Sequence, residues 1–295
     1  MQSIQMKIPA KINLSLDVTG KRADGYHTLR SVFQTVGIYD SMVITRTEPS
    51  APFVLHCTEA GVPCDARNLV WRAAERLLGD AFSGLDVTLE KGIPSQAGMG
   101  GGSADCAAAL LGIRRLLGLP VSDAALLEIG ASLGADVPFF LAGGTVLCEG
   151  IGEKLTRLPD PPLRTLVIAK GHAGVSTPAA YQRIDGLSAP PAPCTDGVLA
   201  NLQKDAEALF SACGNIFDAV TDLPEIEKIR RVMQEHGLHP VLSGSGAAVF
   251  GGCGKRADAE NCAEALRSAG IPFVTVAETV QGGITAEGKP LRICI

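Results

Sequence analysis

The sequence predicts a layered fold of mixed strands and helices, an α/β sandwich, and three observations carry that expectation. Apolar and polar residues alternate near the N-terminus, capped runs of helical length follow, and strand-like and helix-like segments then take turns to the C-terminus. At 295 residues, with 46% hydrophobic and 19% charged residues, the chain can bury one large core or two modest ones.

Ile12, Leu14, Leu16 and Val18 alternate with Lys11, Asn13, Ser15 and Asp17, a period of two that predicts a half-buried strand with Lys11 and Asn13 on one face. Lys21-Arg22-Ala23-Asp24-Gly25-Tyr26-His27 reads as a loop, with Asp24-Gly25 as its turn. Residues 42–45 and 85–89 read as strands, and Asn68 is placed to cap a helix over 69–78. A small-residue helix is expected over 103–117, stopped by Gly118, and Ser122 caps a second one ending near Gly134.

Pro159-Asp160-Pro161-Pro162 can continue neither a helix nor a central strand, so it marks a boundary between domains at 1–160 and 161–295. The Pro-rich stretch 189–193 reads as a surface loop. Helical patterns lie near 199–210 and 225–236, a strand-turn-strand over 241–250, a helix over 258–268 and a strand over 272–276.

The net charge of −5 offers no basic field for nucleic acid, so any anionic ligand must be held by local groups. Nine cysteines, scattered and never spaced C-x-x-C, suggest neither a zinc site nor a disulfide framework. The N-terminal residues carry no hydrophobic signal core, and no run approaches the ~18 apolar residues of a membrane span. A soluble, cytoplasmic protein with no membrane partner is expected; the oligomeric state is left open.

The segment Pro94-Ser95-Gln96-Ala97-Gly98-Met99-Gly100-Gly101-Gly102-Ser103-Ala104 has the composition of a phosphate cradle. Its glycines let backbone N–H groups converge on an anion at the positive end of the following helix. It is not a Walker A loop, because the Gly-Lys pairs at 20–21, 254–255 and 288–289 are followed by Arg, Arg and Pro. It is not a dinucleotide fingerprint either, since the final glycine of G-x-G-x-x-G is replaced by Ser103 here and by Val249 after Gly244.

The segment from 94 to 104 instead resembles the ATP loop of the GHMP small-molecule kinases. Pro9-Ala10-Lys11-Ile12-Asn13-Leu14, the 20–29 segment, Gly134-Ala135-Asp136-Val137-Pro138 and Leu242-Ser243-Gly244-Ser245-Gly246-Ala247 are similar to the branch that phosphorylates 4-diphosphocytidyl-2-C-methyl-D-erythritol. Met99 stands where leucine is usual, and Ala104 where a second serine is frequent. The resemblance implies an α+β, two-domain fold. It pairs an N-terminal ATP domain of the ribosomal-protein-S5-domain-2 type with a C-terminal ferredoxin-like α/β sandwich.

It also implies roles. Asp136 is the expected general base and Lys11 the cation that steadies developing charge. Residues 94–104 hold the phosphates of ATP, which arrives with Mg2+ and needs no dedicated protein metal ligand, and Asn68 lies beside the adenine. Asn13, Tyr26, His27, Thr177 and Tyr181 are expected on the cytidine-diphosphate substrate, the two tyrosines as walls around the base. Ser243-Gly244-Ser245-Gly246 reads either as a tight hairpin turn or as a second backbone cradle. A mevalonate, homoserine or sugar kinase remains open as an alternative. So does a nucleotide-sensing protein without transfer, although Lys11 and Asp136 together argue against it.

Overall fold

A computed structural model describes residues 2–295 and builds the chain around two sheets. The first is assembled on one long strand. β1 (Ser3–Asn13), β2 (Ser15–Lys21) and β3 (His27–Arg46) are antiparallel neighbours, and the 20 residues of β3 are long enough to pair β1 and β2 on one side. On its other side β3 pairs β5 (Leu85–Glu90) and β6 (Thr145–Gly150). β4 (Val54–Cys57) and β7 (Lys154–Arg157) extend this sheet outward.

Against it pack α1 (Leu69–Leu78), α2 (Gly101–Leu117), α3 (Asp123–Leu133) and α4 (Val137–Ala142). The expected caps are in place. Asn68 Oδ1 accepts from the Val70 N–H at 2.9 Å, Ser122 Oγ accepts from the Ala125 N–H at 3.2 Å, and Gly118 ends α2 in the left-handed conformation. Residues 104–113 of α2 are buried on every side, which explains the run of alanines: only small side chains let a central helix lie this close to its neighbours.

β8 (Thr165–Lys170) opens the second sheet just past the proline cluster. The helices α5 (Thr177–Asp185), α6 (Thr195–Asn201), α7 (Ala206–Ala212) and α8 (Pro224–Glu235) follow, with the short β9 (Gly214–Asn215) between the last two. β10 (Val241–Leu242), β11 (Ala248–Cys253), α9 (Arg256–Ser268) and β12 (Phe273–Glu278) complete the layer, in the strand order β10-β11-β8-β12. The tail then returns to the first sheet, where β13 (Thr285–Ala286) pairs β1 and β14 (Lys289–Pro290) pairs β13. Ile284 and Ile293 are buried in the first core.

Two expectations are corrected. The strand expected through 12–18 is broken at Leu14, and its polar face is buried instead of solvated: Lys11, Asn13, Ser15 and Asp17 are 0–7% exposed. The second sheet and α6 cover that face. Asp17 accepts from the Cys194 and Thr195 N–H groups at 2.9 Å each, and Thr195 Oγ1 bonds Ser15 Oγ at 2.9 Å, so the buried polar atoms are paired. The helical pattern near 199–210 is two helices, because Asp205 turns its carboxylate onto the Ala208 N–H at 2.8 Å and starts a new one.

The sheets are mainly antiparallel. Apart from β4 with β5 and β2 with β9, the strand pairs are antiparallel, as an α+β fold requires. An apolar cluster shared by the two sheets, with Ile12 and Val36 from one and Ile168 and Phe250 from the other, holds them face to face. Among the described residues no helix is long and apolar enough to cross a membrane.

Candidate active site

The two sheets meet around a cavity of about 770 Å³ that collects residues from distant parts of the sequence. Lys11 and Asn13 come from the end of β1, Gly98, Gly100 and Ser103 from the glycine segment, Asp136 from the start of α4, and Thr177 and Tyr181 from α5. Tyr26 and His27 close the far end, and Gly244 and Ser245 come from the turn between β10 and β11.

Lys11 is 2% exposed, and its Nζ lies 3.6 Å from Asp136 Oδ2. It donates to Asn13 Oδ1 at 2.7 Å and sits 4.7 Å from the centre of the Phe33 ring. Asn13 is wholly buried: Oδ1 also accepts from the Gly244 N–H at 2.8 Å, and Nδ2 donates to Ser31 Oγ at 2.9 Å. Asn13, expected on the substrate, lines the cavity and ties Lys11 and the 243–246 turn together. Asp136 stands at the N-cap of α4 yet its side chain makes no capping bond, and about a third of it is exposed to the cavity. A carboxylate that leaves its own helix uncapped to face an ammonium group is free to handle a proton.

The field of this pair reaches its neighbours. Burial, and then the nearby Asp136 charge, push the Tyr181 hydroxyl up to about 12, so it stays a neutral donor. The same two causes raise the Cys148 thiol, against the opposing pull of Lys11.

The glycine segment divides by function. Gly98 (φ +71°) lies against the 243–246 turn so closely that a Cβ there would be 1.9 Å from the Ser243 carbonyl oxygen. The two segments are sewn together by Ser243 Oγ donating to the Gly98 carbonyl at 3.0 Å and the Ala248 N–H donating to Ala97 O at 3.1 Å. Met99 and Ala104 are buried in the core, which accommodates both departures from the usual motif.

Gly102 is different: a Cβ there would meet only Leu69 Cδ1, at 4.0 Å. With Gly100 at the N-cap and no side-chain cap, the first N–H groups of the 17-residue α2, from Gly101, Gly102 and Ser103, lack intrahelical partners and suit an anion. Gly98→Ala is therefore expected to destabilise the protein by about 1–2 kcal/mol for the left-handed backbone alone, and by more for the clash. Gly102→Ala leaves the melting temperature near wild type; thermal melts of both variants check the contrast.

Other expected residues lie outside the cavity lining. Asn68 spends both ends of its amide on the chain, Nδ2 donating to Pro63 O at 2.7 Å and Oδ1 capping α1. Pro94, Ser95 and Gln96 form the outer arm of the segment, with Ser95 Oγ on Glu59 at 3.0 Å and Gln96 at φ 51°.

At the opposite end Tyr26 is 63% exposed at the rim. Tyr181 is stacked on His27, with ring centres 4.6 Å apart and planes 14° apart, and its edge meets Phe217 at 5.0 Å. Thr177 Oγ1 bonds Ser245 Oγ at 2.7 Å, linking α5 to the 243–246 turn. Sequence reasoning missed Asp185, which binds both His27 and Lys21, and Asn215, whose Nδ2 holds the Leu242 and Gly244 carbonyls at 2.8 and 2.7 Å. Neither belongs to a local motif; each is brought in by a long-range turn of the chain.

The family model for the GHMP kinases N terminal domain matches residues 68–144, and that for the GHMP kinases C terminal matches 200–272. A 4-diphosphocytidyl-2-C-methyl-D-erythritol kinase of Lachnospira eligens is 43% identical over 258 residues, 85% of this chain and 89% of that one. Its namesake from Caldicellulosiruptor saccharolyticus is 40% identical over 270 residues, 89% and 92% of the two chains. A crystal structure of 4-(cytidine 5'-diphospho)-2C-methyl-D-erythritol kinase superposes with a TM-score of 0.74 at 32% identity, covering 95% of this chain and all of that one. Homoserine kinase from Cytophaga hutchinsonii, at 20% identity and a TM-score of 0.73 over 97% and 98% of the two chains, shares the fold. Matched in both halves, and 40% or more identical to such relatives over most of its length, the chain belongs to the GHMP kinases, in the family of the 4-diphosphocytidyl-2-C-methyl-D-erythritol kinases.

Proposed function

We propose that the protein transfers the γ-phosphoryl group of ATP to the 2-hydroxyl of 4-diphosphocytidyl-2-C-methyl-D-erythritol, a step of the non-mevalonate route to isoprenoid precursors. The observation that carries this reading is the Lys11–Asp136 pair, held in one cavity with the open helix terminus of α2 and the aromatic Tyr26-His27-Tyr181 end. Asp136 takes the proton of the attacking hydroxyl. Lys11, pinned by Asn13, offsets the negative charge that spreads over the transferring group.

The N–H groups of Gly101, Gly102 and Ser103 face the nucleotide phosphates, and the space beside Gly102 fits them. Magnesium would be held mainly by phosphate oxygens and water, with the Ser103 hydroxyl in the cavity wall as an oxygen donor within the cradle, and would supply charge neutralisation. The base rests at the far end, where an aromatic contact is worth roughly 1–3 kcal/mol. A cytoplasmic setting belongs to the same reading: all nine cysteines are free thiols, the state that a reducing compartment maintains.

A coupled assay of ADP release tests the proposal. ADP release is expected to rise when the cytidylated alcohol is added and to stay at background with mevalonate, homoserine or uncytidylated methylerythritol. Equal stimulation by an acceptor lacking cytidine diphosphate would overturn the assignment of substrate.

A further inference from the structure

The wall of the cavity behind His27 carries a carboxylate that no sequence motif marks. Asp185 ends α5 one helical turn after Tyr181, so the two side chains project from the same face. Its Oδ1 lies 2.6 Å from His27 Nε2, and its Oδ2 lies 2.6 Å from Lys21 Nζ. Lys21 and His27 are themselves directly opposite in the β2–β3 ladder, so one carboxylate clamps the mouth of that hairpin to α5.

An ionised carboxylate can only accept hydrogen bonds. The Lys21 ammonium first, and then the His27 ring, hold the Asp185 carboxyl below the usual carboxylate range, which keeps it an acceptor. The His27 ring facing it therefore carries a proton on Nε2, and in the neutral imidazole Nδ1 is left as a lone-pair acceptor. Among the described residues Nδ1 makes no hydrogen bond, while the ring lines the cavity, is 8% exposed and is stacked on Tyr181. The position of the imidazole is thus fixed on three sides: by the carboxylate edge-on, by Tyr181 face-on, and by the strand that bears it.

An acceptor at Nδ1 pairs with a donor on the ligand. The exocyclic amino group of cytosine is one; the corresponding oxygen of uracil would set lone pair against lone pair. Were Asp185 absent, the ring could take either tautomer, and the form protonated on Nδ1 would accept uracil. We infer that Asp185, braced by Lys21, is a positioning residue that fixes the tautomer of His27 and so makes this end of the cavity select cytosine over uracil. The inference rests on the reading of the cavity as the site of a cytidylated substrate, and it adds the group that sets the choice of base.

Binding of CDP and UDP, measured by calorimetry with a non-hydrolysable ATP analogue already in place, tests it together with long-range 1H–15N spectra of His27. Wild type is expected to prefer CDP by roughly tenfold or more, the order of one hydrogen bond made or opposed, and to show His27 protonated on Nε2. Asp185→Ala should bring the two affinities within about threefold of each other, leave ATP-analogue affinity unchanged, and give His27 nitrogen shifts of mixed tautomers. Asp185→Asn, which keeps the shape but can donate as well as accept, should fall between.

An unchanged CDP preference in Asp185→Ala, no preference in wild type, or His27 protonated on Nδ1 in wild type would each overturn the inference. A preserved CDP preference in wild type, lost in Asp185→Ala, would support it even if no phosphoryl transfer to the cytidylated alcohol were detected; that second result would strike only at the proposed reaction.

Discussion

Asp136→Asn is expected to lower turnover by roughly 100-fold or more, with ATP affinity close to wild type. The amide matches the carboxylate in size but cannot take the proton of an attacking hydroxyl. Asp136 makes no capping bond to α4, and its contact with Lys11 is a 3.6 Å ion pair, longer than the 2.7 Å bond by which Asn13 already holds that ammonium group. The variant leaves the buried Lys11 ammonium without a carboxylate, so some loss of melting temperature is expected, while the bond to Asn13 keeps Lys11 in place. Steady-state kinetics with ATP and the cytidylated alcohol, alongside a thermal melt, separate the possibilities. A loss confined to kcat supports the base role, whereas near-normal turnover removes Asp136 from it.

The parts of this site that were legible in the sequence are those governed by local chemistry. Asn68, Gly118 and Ser122 announce helix ends because their caps are made within a few residues. Lys11 and Asn13 are readable as a pair because a strand puts alternate residues on one face. The glycine segment is readable as a cradle, but its glycines serve two ends that composition cannot separate. Gly98 is required by the approach of Ser243, 145 residues away in the chain, while the space beside Gly102 is open.

What the sequence could not reveal is whatever the second sheet covers. Lys11, Asn13, Ser15 and Asp17 have the pattern of a solvated edge and become a buried polar seam, because α6 and the 243–246 turn close over them. Asp185 is invisible for the same reason: its partners lie 158 and 164 residues upstream, on two strands whose mouth only the folded chain brings to α5.

The second large effect is expected at a buried cluster behind the cradle that ties both of its ends together. Lys91, just past the end of β5, lies between Asp40 and Asp105, bonded to the Asp40 carboxylate and 2.6 Å from Asp105 Oδ2. Asp40 is well supplied, since its Oδ1 also accepts from the Gly92 and Ile93 N–H groups at 2.6 and 2.8 Å, just where the chain turns into the glycine segment. Asp105, on the second turn of α2, has only Lys91, and its Oδ1 is buried without a partner.

Burial, helped by the like charge of Asp40, therefore wins over the pull of Lys91 and pushes the Asp105 carboxyl up to about 8, so the cluster keeps a proton at pH 7. Lys91→Met removes the cation and strands the Asp40 charge at 1% exposure, which is expected to cost about 3–5 kcal/mol of stability. The pH dependence has a definite sign. Asp105 ionises in the unfolded chain near its ordinary value of 3.8 but holds its proton in the native state to about 8, so its contribution to stability declines as pH rises across that window and levels off above it.

Asp105→Asn keeps the shape and cannot ionise, so it should abolish that share of the slope. Urea unfolding of wild type and both variants at about pH 5, 7 and 9 measures all of this. A Lys91→Met protein within about 1 kcal/mol of wild type, or an Asp105→Asn protein with an unchanged slope, would show that the cluster carries neither the predicted charge nor the predicted weight.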